Sequence, residues 1–450
     1  MENAVCPLDY RYGRKEIKDI FGEKKRLQFL LDVEAALARA HAKVGNIPQS
    51  AADEISKKAS TEYVDIERVK KIEAETKHDI MAVTRALSEV CKKDAGKYVH
   101  LGATSYDIVD TANALQFAAA TTYVQKGLKD LRRTLVELTK KHKNTIMLGR
   151  THGQHTIPIT FGLKMAGFAM EVERHLERMY ECKSRLLVGK LSGAVGTGAA
   201  LGKNALKLQD LMLSDLKLGV EDVSTQIVDR DRYNELISVL CNIATSMEKF
   251  ATEIRNLQRD EIGEVAEAFE AKKQVGSSTM PHKRNPITCE QICGLARVVR
   301  GFITPTYENA IQWHERDLCN SAGERFILPH SLILTDWIVF QTNEVFENLK
   351  VFPERMKKNM DISKGLPMAE SLMTKLIEKG FGRDDAHSLM RKLSMKAIQQ
   401  NKSLKEVFIQ ENKKLKLLKQ KEIDEALDPK NYLGVSKEIA ERALKKLERR

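Results

Sequence analysis

The sequence predicts an all-α protein of three helical domains, the middle one a long central helical bundle. Ten prolines and 25 glycines are few for 450 residues, and the helix formers Ala, Leu, Lys and Glu abound. Apolar residues recur in alternating steps of four and three at Leu236, Leu240, Ile243, Met247, Phe250, Ile254 and Leu257. Met165, Ala169, Val172, Leu176 and Met179 repeat the pattern, whose period of about 3.5 packs helices at shallow crossing angles. Seams this long often bury against other copies of a chain. After Pro353 they stop, and shorter segments separated by Gly365-Leu366-Pro367, Gly380-Phe381-Gly382 and Pro429 follow. The expected domains are 1–105, 106–355 and 356–450.

Hydrophobic residues make up 42% of the chain and charged residues 30%, enough for a large core and against global disorder. Seven scattered cysteines with no C-x-x-C pair indicate neither a disulfide framework nor a zinc site. With no basic-then-apolar leader and no long apolar run, the expectation is a soluble, cytoplasmic protein. A net charge of +12 is compatible with nucleic acid, a membrane surface or a polyanionic small substrate. Much of it sits in runs such as Lys413-Lys414-Leu415-Lys416, with no aromatic residues interleaved, so the nucleic-acid reading is weak.

In chain order, Leu27, Leu30, Leu31, Ala35, Ala38 and Ala42 share one face of an amphipathic helix that ends near Gly45 and Pro48. Arg11-Tyr12 before it suits a base and a phosphate, or a surface anchor. The run Glu73 to Ala82 reads as a helix passing a cleft, with Lys77, His78 and Asp79 at consecutive positions. His beside Asp is also a common surface pair. His100-Leu101-Gly102-Ala103-Thr104-Ser105-Tyr106-Asp107 reads as a helix start, which also suits a carboxylate ligand. In Gly149-Arg150-Thr151-His152-Gly153-Gln154-His155 the two histidines lack the H-E-x-x-H pattern, cysteines or convergent acids of a metal site. Gly196, Gly198 and Gly202 follow no β-rich run and are spaced for a turn rather than a dinucleotide site. A helix from Tyr233 to Phe269 would span about 55 Å at roughly 1.5 Å per residue.

The stretch Val275 to Glu290, V-G-S-S-T-M-P-H-K-R-N-P-I-T-C-E, is the most informative in the chain. Gly276, Pro281 and Pro286 bar a regular helix, while Ser277, Ser278, Lys283, Arg284 and Asn285 crowd polar groups where a connector needs none. Downstream, Arg316 and Arg325 flank Ser321, and planar guanidinium forks suit a phosphate. Pairing with the adjacent acids is the competing reading.

The stretch resembles the signature loop of the fumarase/aspartase superfamily, G-S-S-x-M-P-x-K-x-N, and K-R-N-P narrows it to adenylosuccinate lyases and carboxymuconate cycloisomerases. Further segments resemble the adenylosuccinate lyase family over nearly the whole chain: Arg11-Tyr12, His78-Asp79, T-S-x-D from Thr104, T-H-G-Q from Thr151, Ser224-Thr225-Gln226, W-H-E-R-D from Trp313 and S-x-x-E-R from Ser321. A cycloisomerase handles no phosphate, so the Arg316, Ser321 and Arg325 cluster argues against it. Asp229 stands where bacterial relatives often carry another amide and takes no role, and Ala322 replaces a frequent second Ser.

The resemblance implies elimination of fumarate from adenylosuccinate and from the succinylaminoimidazole carboxamide ribotide. It implies a small-molecule nucleotide substrate, no metal or organic cofactor, no nucleic acid or membrane partner, and a homotetramer whose sites are shared between subunits. Ser277 is the implied base and His152 the acid, with Lys283 meeting developing charge and Glu290 orienting His152. A serine hydroxyl is a poor base near neutral pH, so Lys283 and loop amides would have to stabilise its alkoxide under a Gly276-Ser277 lid. The implied substrate-binding residues are Arg11, Tyr12, Lys77, His78, Asp79, His100, Thr104, Ser105, Thr151, Gln226, Ser278, Asn285, Arg316, Ser321 and Arg325.

Overall fold

Nineteen α-helices and six short strands run through the described residues, which are 4–269, 279–280 and 282–449 of the computed structural model. The helices begin with α1 (Pro7–Tyr10), α2 (Lys15–Phe21), α3 (Glu23–Lys43), α4 (Gln49–Lys58), α5 (Ile66–Thr76), α6 (Asp79–Val90) and α7 (Ser105–His142). The hairpin β1 (Ile146–Thr151) and β2 (Gln154–Thr160) precedes α8 (Phe161–Leu186), β3 (Val188–Gly189), α9 (Ala205–Asp215), β4 (Gly219–Val220) and α10 (Asp231–Gln258). Next come β5 (Val265–Ala266), α11 (Ile287–Gly301), α12 (Ile303–Glu308), α13 (Cys319–Glu347) and β6 (Lys350–Val351). The chain finishes with α14 (Pro353–Ile362), α15 (Ala369–Glu378), α16 (Arg383–Gln399), α17 (Leu404–Leu415), α18 (Gln420–Leu427) and α19 (Ser436–Glu448). The all-α class read from composition is the class observed. Contacts gather the chain into two compact units: residues 1–129, 174–247 and 294–340, and residues 130–173, 248–293 and 341–450.

In the first unit, α3 buries Leu27, Leu30, Leu31, Ala35 and Ala38 and packs against α4 and α9. Leu236, Leu240, Ile243 and Met247 of α10 are fully buried, and each such side chain contributes about 1.5–3 kcal/mol relative to exposure. The run from Glu73 to Ala82 is two helices, not the single one expected. Lys77 takes the left-handed conformation (φ 54°) that closes α5, and the His78 side chain accepts the Met81 N–H to open α6. This break sets Lys77, His78 and Asp79 at a helix junction.

The start of α7 is fixed by one carboxylate. Asp107 accepts the backbone N–H groups of Thr104 (2.8 Å), Ser192 (3.0 Å) and Gly193 (3.1 Å) and the ammonium of Lys190. Both charged side chains are fully buried, which is tolerable because each is paired. Gly193, Gly196, Gly198 and Gly202 all have positive φ, giving the expected turn. A Cβ on Gly196 would stand 2.0 Å from the Ser224 carbonyl, so only glycine fits.

In the second unit, α10 buries Phe250, Ile254 and Leu257 but ends at Gln258, short of the expected Phe269. Gly263 turns left-handed (φ 58°), the Glu264 N–H returns to the Leu257 carbonyl, and Val265–Ala266 pairs with Lys350–Val351. That pairing joins distant residues and cannot be read from local periodicity. The T-H-G-Q segment forms the β1–β2 hairpin, with His152 (φ 53°) and Gly153 (φ 74°) at its turn and a register shift between Leu148 and Arg150. Phe168 stacks on Phe250 at 4.2 Å, with Phe346 edge-on. Helices α15 to α18 share an apolar core that includes Leu372, Leu376, Leu393, Phe408 and Ile423.

Candidate functional site

The first unit holds a cavity of about 110 Å³ lined by Arg26, Asp79, Tyr106, Ser321, Glu324 and Arg325, among others. Helix α13 supplies Ser321, Glu324 and Arg325, α7 supplies Tyr106, and the first residue of α6 is Asp79. Arg325 donates from Nη2 to Asp79 Oδ2 at 2.9 Å. The Arg316 guanidinium lies 3.5 Å from the Tyr106 ring centroid and donates to Gln226 Oε1 at 2.7 Å. Its Nε and Nη2 are buried and have no hydrogen-bond partner, a costly state for donors that a ligand anion would relieve. Gln226 is itself held, its N–H donating to the Glu315 carbonyl and its side-chain amide to that of Ala194.

Beneath the cavity, Arg230 donates to Asp110 (2.8 and 3.0 Å) and to Glu324 (2.7 Å). Burial pushes the Glu324 carboxyl up despite that cation, and burial also raises the Tyr106 hydroxyl. Arg26 was not singled out in the sequence, where a cation beside Leu27 on an amphipathic helix reads as solvated. Burial lowers its pKa, and so does the positive charge of Arg325.

Of the residues expected in the site, the structure brings Asp79, Ser321 and Arg325 together at the cavity and joins Arg316 and Gln226 to it through Tyr106. Thr104 and Ser105 sit half-buried at the start of α7, adjoining Tyr106. His100 instead pairs with buried Glu34, its Nδ1 2.6 Å from one carboxylate oxygen and its N–H donating to the other. Lys77 and His78 are exposed. Arg11 reaches Tyr12, with Nε 3.3 Å from the hydroxyl.

The second unit carries the other expected groups. His152 is exposed at the tip of the β1–β2 hairpin, next to Thr151. Arg150 clamps the hairpin by a bidentate contact to buried Glu264 (2.9 and 2.7 Å), which also accepts from Asn359 at 2.8 Å. On the other strand, His155 Nδ1 lies 2.6 Å from Ser363 Oγ. Burial, and then Arg150, lowers the His155 pKa.

Ser277 and Ser278 lie outside the described residues. The Lys283 N–H donates to the Met280 carbonyl, Asn285 is half-buried, and Glu290 is exposed in the first turn of α11. Glu267 accepts the Thr288 and Cys289 N–H groups at 3.2 and 2.7 Å, capping that helix. Gln258 bonds both the Glu267 N–H and the Arg284 carbonyl, which ties the end of the loop to α10. Burial, and then Glu267, raises the Cys289 thiol. No cluster of three metal-ligating side chains occurs among the described residues, nor is any helix among them long and apolar enough to cross a membrane.

Known proteins share both the sequence and the architecture. A family described as Lyase matches residues 10–301, and one described as Adenylosuccinate lyase C-terminus matches residues 365–443. The adenylosuccinate lyase of Pyrococcus horikoshii is 52% identical over 445 residues, 99% of this chain and 98% of that protein. That of Methanocaldococcus jannaschii is 45% identical over 99% of this chain and 96% of its own length. Among solved structures, the 3-carboxy-cis,cis-muconate lactonizing enzyme from Pseudomonas putida superposes with a TM-score of 0.90 at 34% identity, covering 98% of this chain and 99% of its own. A fumarate lyase from Mesorhizobium gives 0.89 at 32%, covering 96% and 98%. With near-complete coverage on both sides and a matching C-terminal segment, the chain belongs to the adenylosuccinate lyase family.

Proposed function

We propose that the protein eliminates fumarate from adenylosuccinate, giving AMP, and from the succinylaminoimidazole carboxamide ribotide. The observation that carries this reading is the arginine-lined cavity. Arg325 and Ser321 face it, and Arg316 on Tyr106 holds two buried donor nitrogens without hydrogen-bond partners, an arrangement suited to a nucleotide phosphate. The net charge of +12 would steer such a polyanion towards it.

The chemistry has three tasks. A base removes a proton from the carbon next to a carboxylate, donors hold the resulting dianion, and an acid protonates the departing nitrogen. The resemblance assigns the first to Ser277 and the last to His152, with Lys283 and Asn285 meeting the developing charge and Glu290 tuning His152. Exposure of His152 and Glu290 on the single chain supports a site completed by other subunits. So do Trp313, Leu318 and Phe326, exposed at 76%, 68% and 66%, because apolar groups so placed favour burial against another copy. The reading is therefore a cytoplasmic homotetramer with shared sites, and seven free cysteines suit a reducing compartment.

Incubation with adenylosuccinate, followed by absorbance and product chromatography, should yield AMP and fumarate in equal amounts. If no fumarate appears, the reading is wrong. Ser277→Ala should abolish turnover while calorimetry still records substrate binding, because the base acts only in the chemical step. A variant with near-native turnover would remove Ser277 from the mechanism.

A further inference from the structure

We propose that Arg26 is a further phosphate-binding residue of this site and sets its preference for a nucleotide over the corresponding nucleoside. The inference rests on the proposed function and adds a residue that no motif marks. Arg26 lies in the first turn of α3 and lines the same cavity as Ser321 and Arg325 of α13, Tyr106 of α7 and Asp79 of α6. Three side chains that can hold an oxyanion, Ser321 and Arg325 of α13 and Tyr106 of α7, therefore meet that guanidinium at one cavity.

The charges around Arg26 leave it underpaired. Arg325 takes the Asp79 carboxylate at 2.9 Å, and Arg230 takes Glu324 at 2.7 Å. The Arg26 backbone N–H donates to the Gly22 carbonyl, but its guanidinium makes no hydrogen bond or ion pair with another described residue. Asp79 is thus engaged by Arg325, and Glu324 shares Arg230 with Asp110, so the Arg26 guanidinium has no carboxylate partner of its own. Burial and the neighbouring Arg325 both disfavour the Arg26 cation, while Asp79 favours it less strongly. A dianionic ligand between the two arginines would turn this repulsion into attraction. A tetrahedral phosphate has three oxygens to meet guanidinium forks on two sides and a hydroxyl between them, which a planar carboxylate lacks.

A structural role for Arg26 and a binding role differ in what they discriminate. Arg26→Gln should raise the KM for adenylosuccinate and the Kd for AMP roughly ten- to a hundredfold, the loss of one charge-assisted contact. Turnover at saturation, inhibition by fumarate, and kcat/KM for dephosphorylated succinyladenosine should each stay within about twofold. Arg26→Lys keeps the charge but loses the fork and should fall between. It also carries the same comparisons should the Gln variant fail to fold. Equal losses on nucleotide and nucleoside, an unchanged KM, or weakened fumarate inhibition would each overturn the assignment. The AMP and adenosine titrations do not depend on turnover. Wild-type protein that binds AMP but cannot cleave adenylosuccinate would thus refute the proposed function separately from the role of Arg26.

Discussion

Glu34 accepts both the backbone N–H and the ring of His100, and the pair shows how a single residue can tie stability to pH. Burial pulls the His100 pKa down, but the charge and hydrogen bond of Glu34 outweigh it and hold the imidazole above its ordinary 6.5. Because the folded value exceeds the unfolded one, the stabilisation is full below the ordinary value and is lost as pH rises through the raised one. The unfolding temperature of wild type minus that of His100→Gln should therefore be larger at pH about 5.5 than at about 8.5. A difference that does not vary with pH would contradict the pairing. At this scale, residue type made Arg316, Ser321 and Arg325 legible in the sequence, since two arginines flank a hydroxyl. Arg26 was not legible, because its burial is created by α7 and α13, distant in sequence.

The β1–β2 hairpin shows what an element contributes. It presents His152 at its tip, and its strands are anchored through Arg150 to Glu264 and Asn359 and through His155 to Ser363. Glu264→Gln would leave the Arg150 charge without its carboxylate in a largely buried place, a cost on the order of 3 kcal/mol. If His152 at the hairpin tip is the acid, as proposed, the variant should below the melting transition lose kcat more than it raises KM, because the acid acts only in the chemical step. Unchanged kcat with ordinary stability would show that the hairpin needs no such anchor. Heptad seams made α8 and α10 readable, because burial follows a local period. The hairpin, the end of α10 at Gln258 and the break at Lys77 depend on pairing or on one left-handed residue, which apolar spacing does not report.

Across the whole molecule, nearly every motif of the family appears in chain order, and so the reaction was legible before the fold. Less legible was which motifs each unit would gather. The cavity groups lie within the first unit, while His152, Lys283 and Glu290 lie in the second. If subunits share sites, mixing unfolded His152→Ala and Ser277→Ala proteins at equal ratio and reassembling them should restore activity at about a quarter of sites. Mixed tetramers with no recovered activity would show that both groups come from one chain. In the proposed reading the substrate is recognised through a phosphate held by arginines. The most direct measurement compares kcat/KM of the wild-type enzyme for adenylosuccinate and for its dephosphorylated nucleoside. Loss of at least two charge-assisted contacts predicts a ratio of at least about a hundredfold in favour of the nucleotide. A ratio near one, with both compounds releasing fumarate, would contradict it.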